Sequence, residues 1–296
     1  MSRVIPVHDA ELLLDAGAEL GEGPLWDPAS SCLFFVDILR GRVHRFDPAT
    51  GALRAFDVGQ YVGAVALAES GDLMLAVRDG FARMSLASGR VEMVAEVEAD
   101  RPDQRMNDGK CDPAGRFWAG TMALDERGGA GALYRLDPDG RVHTMLRQVS
   151  ISNGLDWSSD AKLMYFVDSP TQSVDLFDFD LAAGTIANRR SLVRVGAVHG
   201  LPDGLTLDAD GGAWVSLWSG GEIRRYGADG SLDAIVRVPT KYPTSCTFGG
   251  PDLTDLLITT ASVKLSSEER ATQPHAGGIF RARPGVTGRP PNRFKG

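Results

Sequence analysis

The sequence predicts an all-β protein, a six-bladed β-propeller built as one domain over about residues 11–283. Three observations predict it. Short β-rich runs alternate with Asp/Pro/Gly turns, while strong helix stretches are scarce. The runs recur at roughly 40 to 50 residues, the length of a four-stranded blade. About six such units fill the 296 residues.

Each unit is anchored by an apolar central strand. In order these are Leu33-Phe34-Phe35-Val36-Asp37, Leu73-Met74-Leu75-Ala76-Val77, Arg116-Phe117-Trp118-Ala119-Gly120, Leu163-Met164-Tyr165-Phe166-Val167, Ala213-Trp214-Val215-Ser216-Leu217 and Leu256-Leu257-Ile258-Thr259-Thr260. Turns such as Asp112-Pro113-Ala114-Gly115 precede them. Turns such as Asp47-Pro48-Ala49-Thr50-Gly51 close the strand that follows. In that pattern Pro presets φ and Gly takes the left-handed position. Residues 11–15 read as a short strand that would complete the last blade and remove free sheet edges. Residues 1–10 and 284–296 read as loose ends, and 264–275 as a polar loop within the last blade.

Composition narrows the function. Net charge is −8 with no Lys/Arg cluster, which argues against nucleic acid and anionic membrane surfaces as partners. No apolar run is long enough to cross a bilayer, and no secretory signal is visible at the N-terminus. Cys32, Cys111 and Cys246 are odd in number and widely spaced. They read as reduced core thiols of a cytoplasmic protein. Trp26, Trp118, Trp157 and Trp214 recur near anchor strands and read as blade packing. His199 reads as an exposed loop residue, Lys110 and Asp108 as turn and strand-edge groups. Asp37 and Asp168 end anchor strands and are expected to bond to backbone between blades.

Four polar residues share one place in the repeat. Glu22 lies about 11 residues before its anchor, Asn107 about 9, Asn153 about 10 and Asp203 about 10. Equivalent places in the blades of a propeller lie on a ring around the axis, so these side chains would converge at one mouth of the channel. Singly, each is a turn former beside Gly. In matching register, two carboxylates and two amides offer oxygen ligands to a hard divalent cation, and the absence of Cys and His argues against structural zinc.

The ordered set of motifs resembles the senescence marker protein/regucalcin/gluconolactonase family of six-bladed propeller lactonases. It runs from Gly21-Glu22-Gly23-Pro24-Leu25-Trp26 to Gly277-Gly278-Ile279-Phe280. It includes Arg105-Met106-Asn107-Asp108-Gly109-Lys110, Gly120-Thr121-Met122, Ser152-Asn153-Gly154-Leu155-Asp156-Trp157-Ser158 and Pro202-Asp203-Gly204. The resemblance implies that Glu22, Asn153 and Asp203 ligate one divalent metal, with Ca²⁺ favoured and Zn²⁺, Mn²⁺, Mg²⁺ or Fe²⁺ also accepted by such oxygens. It implies that Asn107 lines the site and that Arg105 hydrogen-bonds sugar hydroxyls. Animal members carry a Glu shortly after Gly-Thr-Met on a loop over the site. The matching position here is Asp125, a shorter acid on a brief loop, expected to help orient the substrate.

The implied activity is hydrolysis of a sugar lactone. The metal would act as Lewis acid on the carbonyl and the oxyanion. Asp203 is the candidate general base, although a carboxylate on a cation is a weakened base and metal-bound hydroxide competes as nucleophile. No Gly-x-Ser-x-Gly elbow and no phosphate-cradling loop is present. A calcium-binding regulatory protein and a non-catalytic propeller scaffold remain as alternative readings.

Overall fold

The computed structural model describes residues 4–296. Among these residues, six sheets follow one another around an axis, each with its earliest main strand innermost. They span residues 21–57, 62–96, 104–149, 152–194, 201–237 and 243–282, here blades 1 to 6. The inner strands are Gly21–Asp27, Val62–Leu67, Gln104–Cys111, Ser152–Trp157, Leu201–Leu207 and Pro243–Gly249. Each predicted anchor is the second strand of its blade. The second strands are buried throughout or nearly so, whereas outer strands such as Ala52–Asp57 are largely exposed, as the shift from apolar to charged residues requires.

The ring closes as expected. Glu11–Leu14 pairs antiparallel with Ile279–Ala282 as the outer strand of blade 6. Chain residues from both ends therefore share one sheet, and blade 6 gains its fourth, outer strand. Aromatic pairs fill the clefts between blades. Trp118 meets Trp157 at 5.8 Å between blades 3 and 4, and Trp214 meets Phe248 at 6.0 Å between blades 5 and 6. Asp37 and Asp168 hold inter-blade connections as predicted. The first accepts from the Glu19 and Leu20 amides, the second from those of Ser150 and Ile151. All three cysteines are buried and unpaired. No described helix is long and apolar enough to cross a membrane.

Three expectations are corrected. The 284–296 tail is not loose: it crosses the channel mouth at the C-terminal ends of the inner strands and touches every blade. The Gly288 amide donates to Leu253 O in blade 6, and Thr287 O accepts from Ala209 in blade 5. Arg289 donates to Trp157 O in blade 4 at 2.8 Å. The Lys295 amide donates to Gly115 O in blade 3, and that of Phe294 to Leu67 O in blade 2. Arg293 reaches Asp27 of blade 1 at 2.6 Å. The anchor is Phe294, 1% exposed and packed with Met106, Phe117 and Leu136. Burying such a ring is worth roughly 2–3 kcal/mol, enough to hold a short tail. At the other end, residues 1–3 lie outside the described residues, while Val7–Asp9 pairs parallel with Leu232–Arg237. Finally, 264–275 contains a short helix, Ser267–Thr272. Its capping box has the Ser266 hydroxyl accepting from the Glu269 amide, and the Glu269 carboxylate accepting from the Ser266 amide.

Candidate active site

Every inner strand breaks its pairing with the second strand near its start. The register skips between Glu22 and Leu25, Val62 and Ala64, Met106 and Gly109, Ser152 and Leu155, Pro202 and Leu205, and Pro243 and Ser245. Such bulges re-aim side chains that a regular ladder would send into the blade interface. Asn107, Asn153 and Asp203 lie within the skipped pairs, and Glu22 borders one. Tight packing of neighbouring inner strands requires glycine here. A Cβ on Gly154 would collide with Leu205 N and Asp203 O, and one on Gly204 with the Ser245 side chain.

The side chains converge as the sequence predicted. Glu22, Arg105, Asn107, Asn153 and Asp203 line one cavity of about 270 Å³ at the N-terminal ends of the inner strands. All five are 4–7% exposed. Arg105 Nη1 donates to Asn107 Oδ1 at 2.6 Å and to Met106 O at 3.0 Å. Asn107 Nδ2 donates to Ser152 O at 2.8 Å and to Asn153 Oδ1 at 3.2 Å. Asn153 Nδ2 donates to Ser169 Oγ at 2.8 Å, and that hydroxyl donates to Pro202 O at 2.7 Å. The network runs from blade 3 through blade 4 to blade 5 and fixes both amide orientations.

Electrostatics explain what the site lacks. Burial pushes the carboxyl of Glu22 well above the usual range, and the nearby charges of Asp203 and Asp108 add to it. Burial does the same to Asp203, helped by Asp108. Burial also lowers Arg105 to about 10, despite Glu22 nearby. Two buried carboxylates thus face one cavity with a single cation close to them. Among the described residues no cluster of three or more His, Cys, Asp or Glu is placed to hold a metal. The candidate donor set is instead two carboxylates and the Asn153 amide oxygen. Its excess buried negative charge fits a divalent cation with oxygen ligands.

Asp125 is not part of the cavity. Its side chain is 63% exposed and pairs with Arg127 at 2.9 Å. Its neighbour Glu126 lines the cavity instead. The chain turns there, with the Glu126 amide on Ala123 O and Glu126 at φ 59°, so the next residue faces inward. The sequence reading also missed Ser169, Trp218 and Lys264. Ser169 and Trp218 directly follow or end anchor strands, the signal that could have found them.

Lys110 and Asp108 lie not in a turn but on Gln104–Cys111, the edge strand of blade 3, as the strand-edge half of the reading expected. They line a second cavity of about 320 Å³ toward the other end of the channel, floored by 289–292 of the tail. Lys110 Nζ donates to Asp156 at 3.1 Å and to Leu205 O at 3.0 Å, and Arg289 also reaches Asp156. Although larger, this cavity pairs both of its cations, Lys110 and Arg289, with Asp156, and among the described residues leaves Asp108 as its one carboxylate without an ion-pair partner. The smaller one, with uncompensated carboxylates, is the better candidate for chemistry.

The six-bladed propeller is a fold shared with proteins named as gluconolactonases and as calcium-binding proteins. The family model described as SMP-30/Gluconolactonase/LRE-like region matches residues 20–262, and the chain belongs to that family. It is 39% identical to a Bacillus subtilis (strain 168) protein provisionally named sugar lactone lactonase YvrE, over 97% of this chain and 99% of that one. It is 41% identical to regucalcin of Gallus gallus, over 94% and 95% of the two chains. Among solved structures, the calcium-binding protein regucalcin of Agrobacterium tumefaciens superposes with a TM-score of 0.95 at 30% identity, over 99% of this chain and all of that one.

Proposed function

We propose that the chain is a divalent-cation-dependent lactonase that opens a sugar (aldono-) lactone to the aldonic acid. One observation carries this reading: Glu22 and Asp203, two buried and poorly compensated carboxylates, meet Asn153, Asn107 and Arg105 on one cavity floor. The names of the lactonase and regucalcin relatives support the substrate class and the choice of Ca²⁺.

Glu22, Asn153 and Asp203 would hold the cation, which supplies Lewis-acid polarisation of the lactone carbonyl and stabilises the oxyanion. Arg105 orients the ring through hydroxyls, with Nη1 anchored on Asn107 so that the rest of the guanidinium is preorganised. Apolar walls including Leu20, Ile151 and Leu201 limit bulk water. Asp203 takes a proton from the attacking water as its oxygen bonds to the carbonyl carbon. As the ring C–O bond breaks, Asp203 gives that proton to the leaving ring oxygen, which becomes a hydroxyl, and the new carboxylic acid ionises to water.

The test is a metal-stripped protein assayed on a panel of aldonolactones, one cation restored at a time, with spontaneous opening subtracted. Cation-restored turnover that vanishes in Asp203→Ala is the expected result. Tight cation binding with no turnover on any lactone would overturn the proposal and favour a calcium-binding role.

A further inference from the structure

The floor amides leave little for the far end of a substrate. Asn107, Asn153 and Ser169 spend their donors on one another, on backbone and on the Asp203 carboxylate. Most of the wall is apolar, with Leu39, Leu124, Val263 and Trp218 near the rim. Away from the carboxylate floor, the charged groups are Glu126 and Lys264. Glu126 comes from a blade 3 loop and Lys264 from a blade 6 loop, on opposite sides of the axis. Their Nζ–Oε1 separation is 2.5 Å, and their side chains are 53% and 49% exposed for Lys264 and Glu126. Both backbones are left-handed, at φ 64° and 59° respectively. Non-glycine residues adopt that conformation at a cost, so it is held by its surroundings, and such positions cluster at functional sites.

Charge points to the ligand. Three carboxylates (Glu22, Asp203, Glu126) and two cations (Arg105, Lys264) line the cavity, a net −1. A divalent cation on the floor brings it to +1, which the oxyanion at the reacting carbonyl offsets during turnover but which a bound neutral lactone leaves open. The excess cannot be met at the floor, where the carboxylates already crowd. It is met at the rim, where Lys264 has one weak competitor. A half-exposed ion pair is worth about 1 kcal/mol or less, so Glu126 is readily displaced.

We propose that the site selects lactones bearing a second carboxylate, at the end remote from the reacting carbonyl, and that Lys264 is the residue that determines this specificity by pairing with it. This rests on the lactonase reading above. The matched probes are an aldono-1,4-lactone and the corresponding aldaro-1,4-lactone, which differ only by a terminal hydroxymethyl against a carboxylate. Cation-loaded protein is expected to favour the acidic lactone in kcat/KM by about 5-fold at low salt, with the preference shrinking at high salt. Lys264→Met should bring the ratio of the two kcat/KM values close to one, mainly through KM of the acidic lactone, and Lys264→Arg should restore it. In parallel, quenching of Trp218 fluorescence reports binding of aldarate against aldonate without turnover. A ratio unmoved by Lys264→Met, or no preference in the parent protein, overturns the proposal while neutral-lactone turnover keeps the lactonase reading. Lys264-dependent preference in binding with no turnover of either lactone does the reverse.

Discussion

Replacing Phe294 with alanine should destabilise the whole propeller while leaving its chemistry intact. The ring is 1% exposed and sits among Met106, Phe117, Leu136 and Phe81 of blades 2 and 3. Truncating a fully buried Phe costs roughly 3–5 kcal/mol. Backbone bonds of Phe294 to Leu67 and Glu69 survive the substitution only if the tail stays docked. If it lifts, the Arg293 bond to Asp27 and the Arg289 bonds are lost too, at about 1 kcal/mol each. Against a total stability of about 5–15 kcal/mol, that is a large fraction. Urea denaturation followed by tryptophan fluorescence should show a midpoint lower by about 1–2 M. The candidate active site lies at the opposite end of the inner strands, so kcat and KM of the folded variant should stay within about two-fold. An unchanged midpoint would refute the argument that the tail holds the blades together. Lost activity at a temperature where the variant is folded would show instead that the tail shapes the site.

Other outcomes follow from the same geometry. Burial raises Asp108 to about 6, above its value in an unfolded chain. Its contribution is therefore full at low pH and is lost as pH rises through about 6, so Asp108→Asn should stabilise the protein by up to about 3 kcal/mol at pH 8 and by nothing near pH 3; urea curves at the two pH values check it. Ser169→Ala removes the acceptor that orients Asn153, and calorimetry should show Ca²⁺ affinity weakened about 10-fold or more, whereas equal affinity would exclude Asn153 as a ligand held this way. Asp125→Ala should leave KM for any lactone unchanged, because its carboxylate faces Arg127 and solvent; a raised KM would return Asp125 to the site.

Much of this architecture is legible in the sequence because it is periodic. Six apolar second strands, each led by an Asp/Pro/Gly turn, are local patterns, and the common offset of Glu22, Asn107, Asn153 and Asp203 follows from them. What escapes is whatever depends on contacts between distant segments. Glu126 and Lys264 are 138 residues apart and belong to irregular loops, so no spacing links them. Asp125 and Glu126 are adjacent acids, and only the left-handed turn at the second decides which faces the cavity. The tail is Pro- and Gly-rich and lacks periodicity, so composition marks it as loose. Its place is fixed by one aromatic ring and backbone bonds to strands far earlier in the chain. Lys110 and Asp108 sit beside a glycine in a turn-like motif, yet the bulge after Met106 sends them into the channel.

Because each inner strand skips one or two residues of its ladder at the same height, Asn107, Asn153 and Asp203 face the cavity from positions that form no rung with the second strand. A side chain exchanged there alters the cavity without removing a rung from any sheet. The six bulges thus work as sockets of a common mount. In blades 1, 3, 4 and 5 they hold or adjoin the acids and amides, and in blades 2 and 6 they hold Gly63 and Thr244. Exchanging residues socket by socket is a route by which one ring of sheets can change ligand and reaction while its folding stays the same.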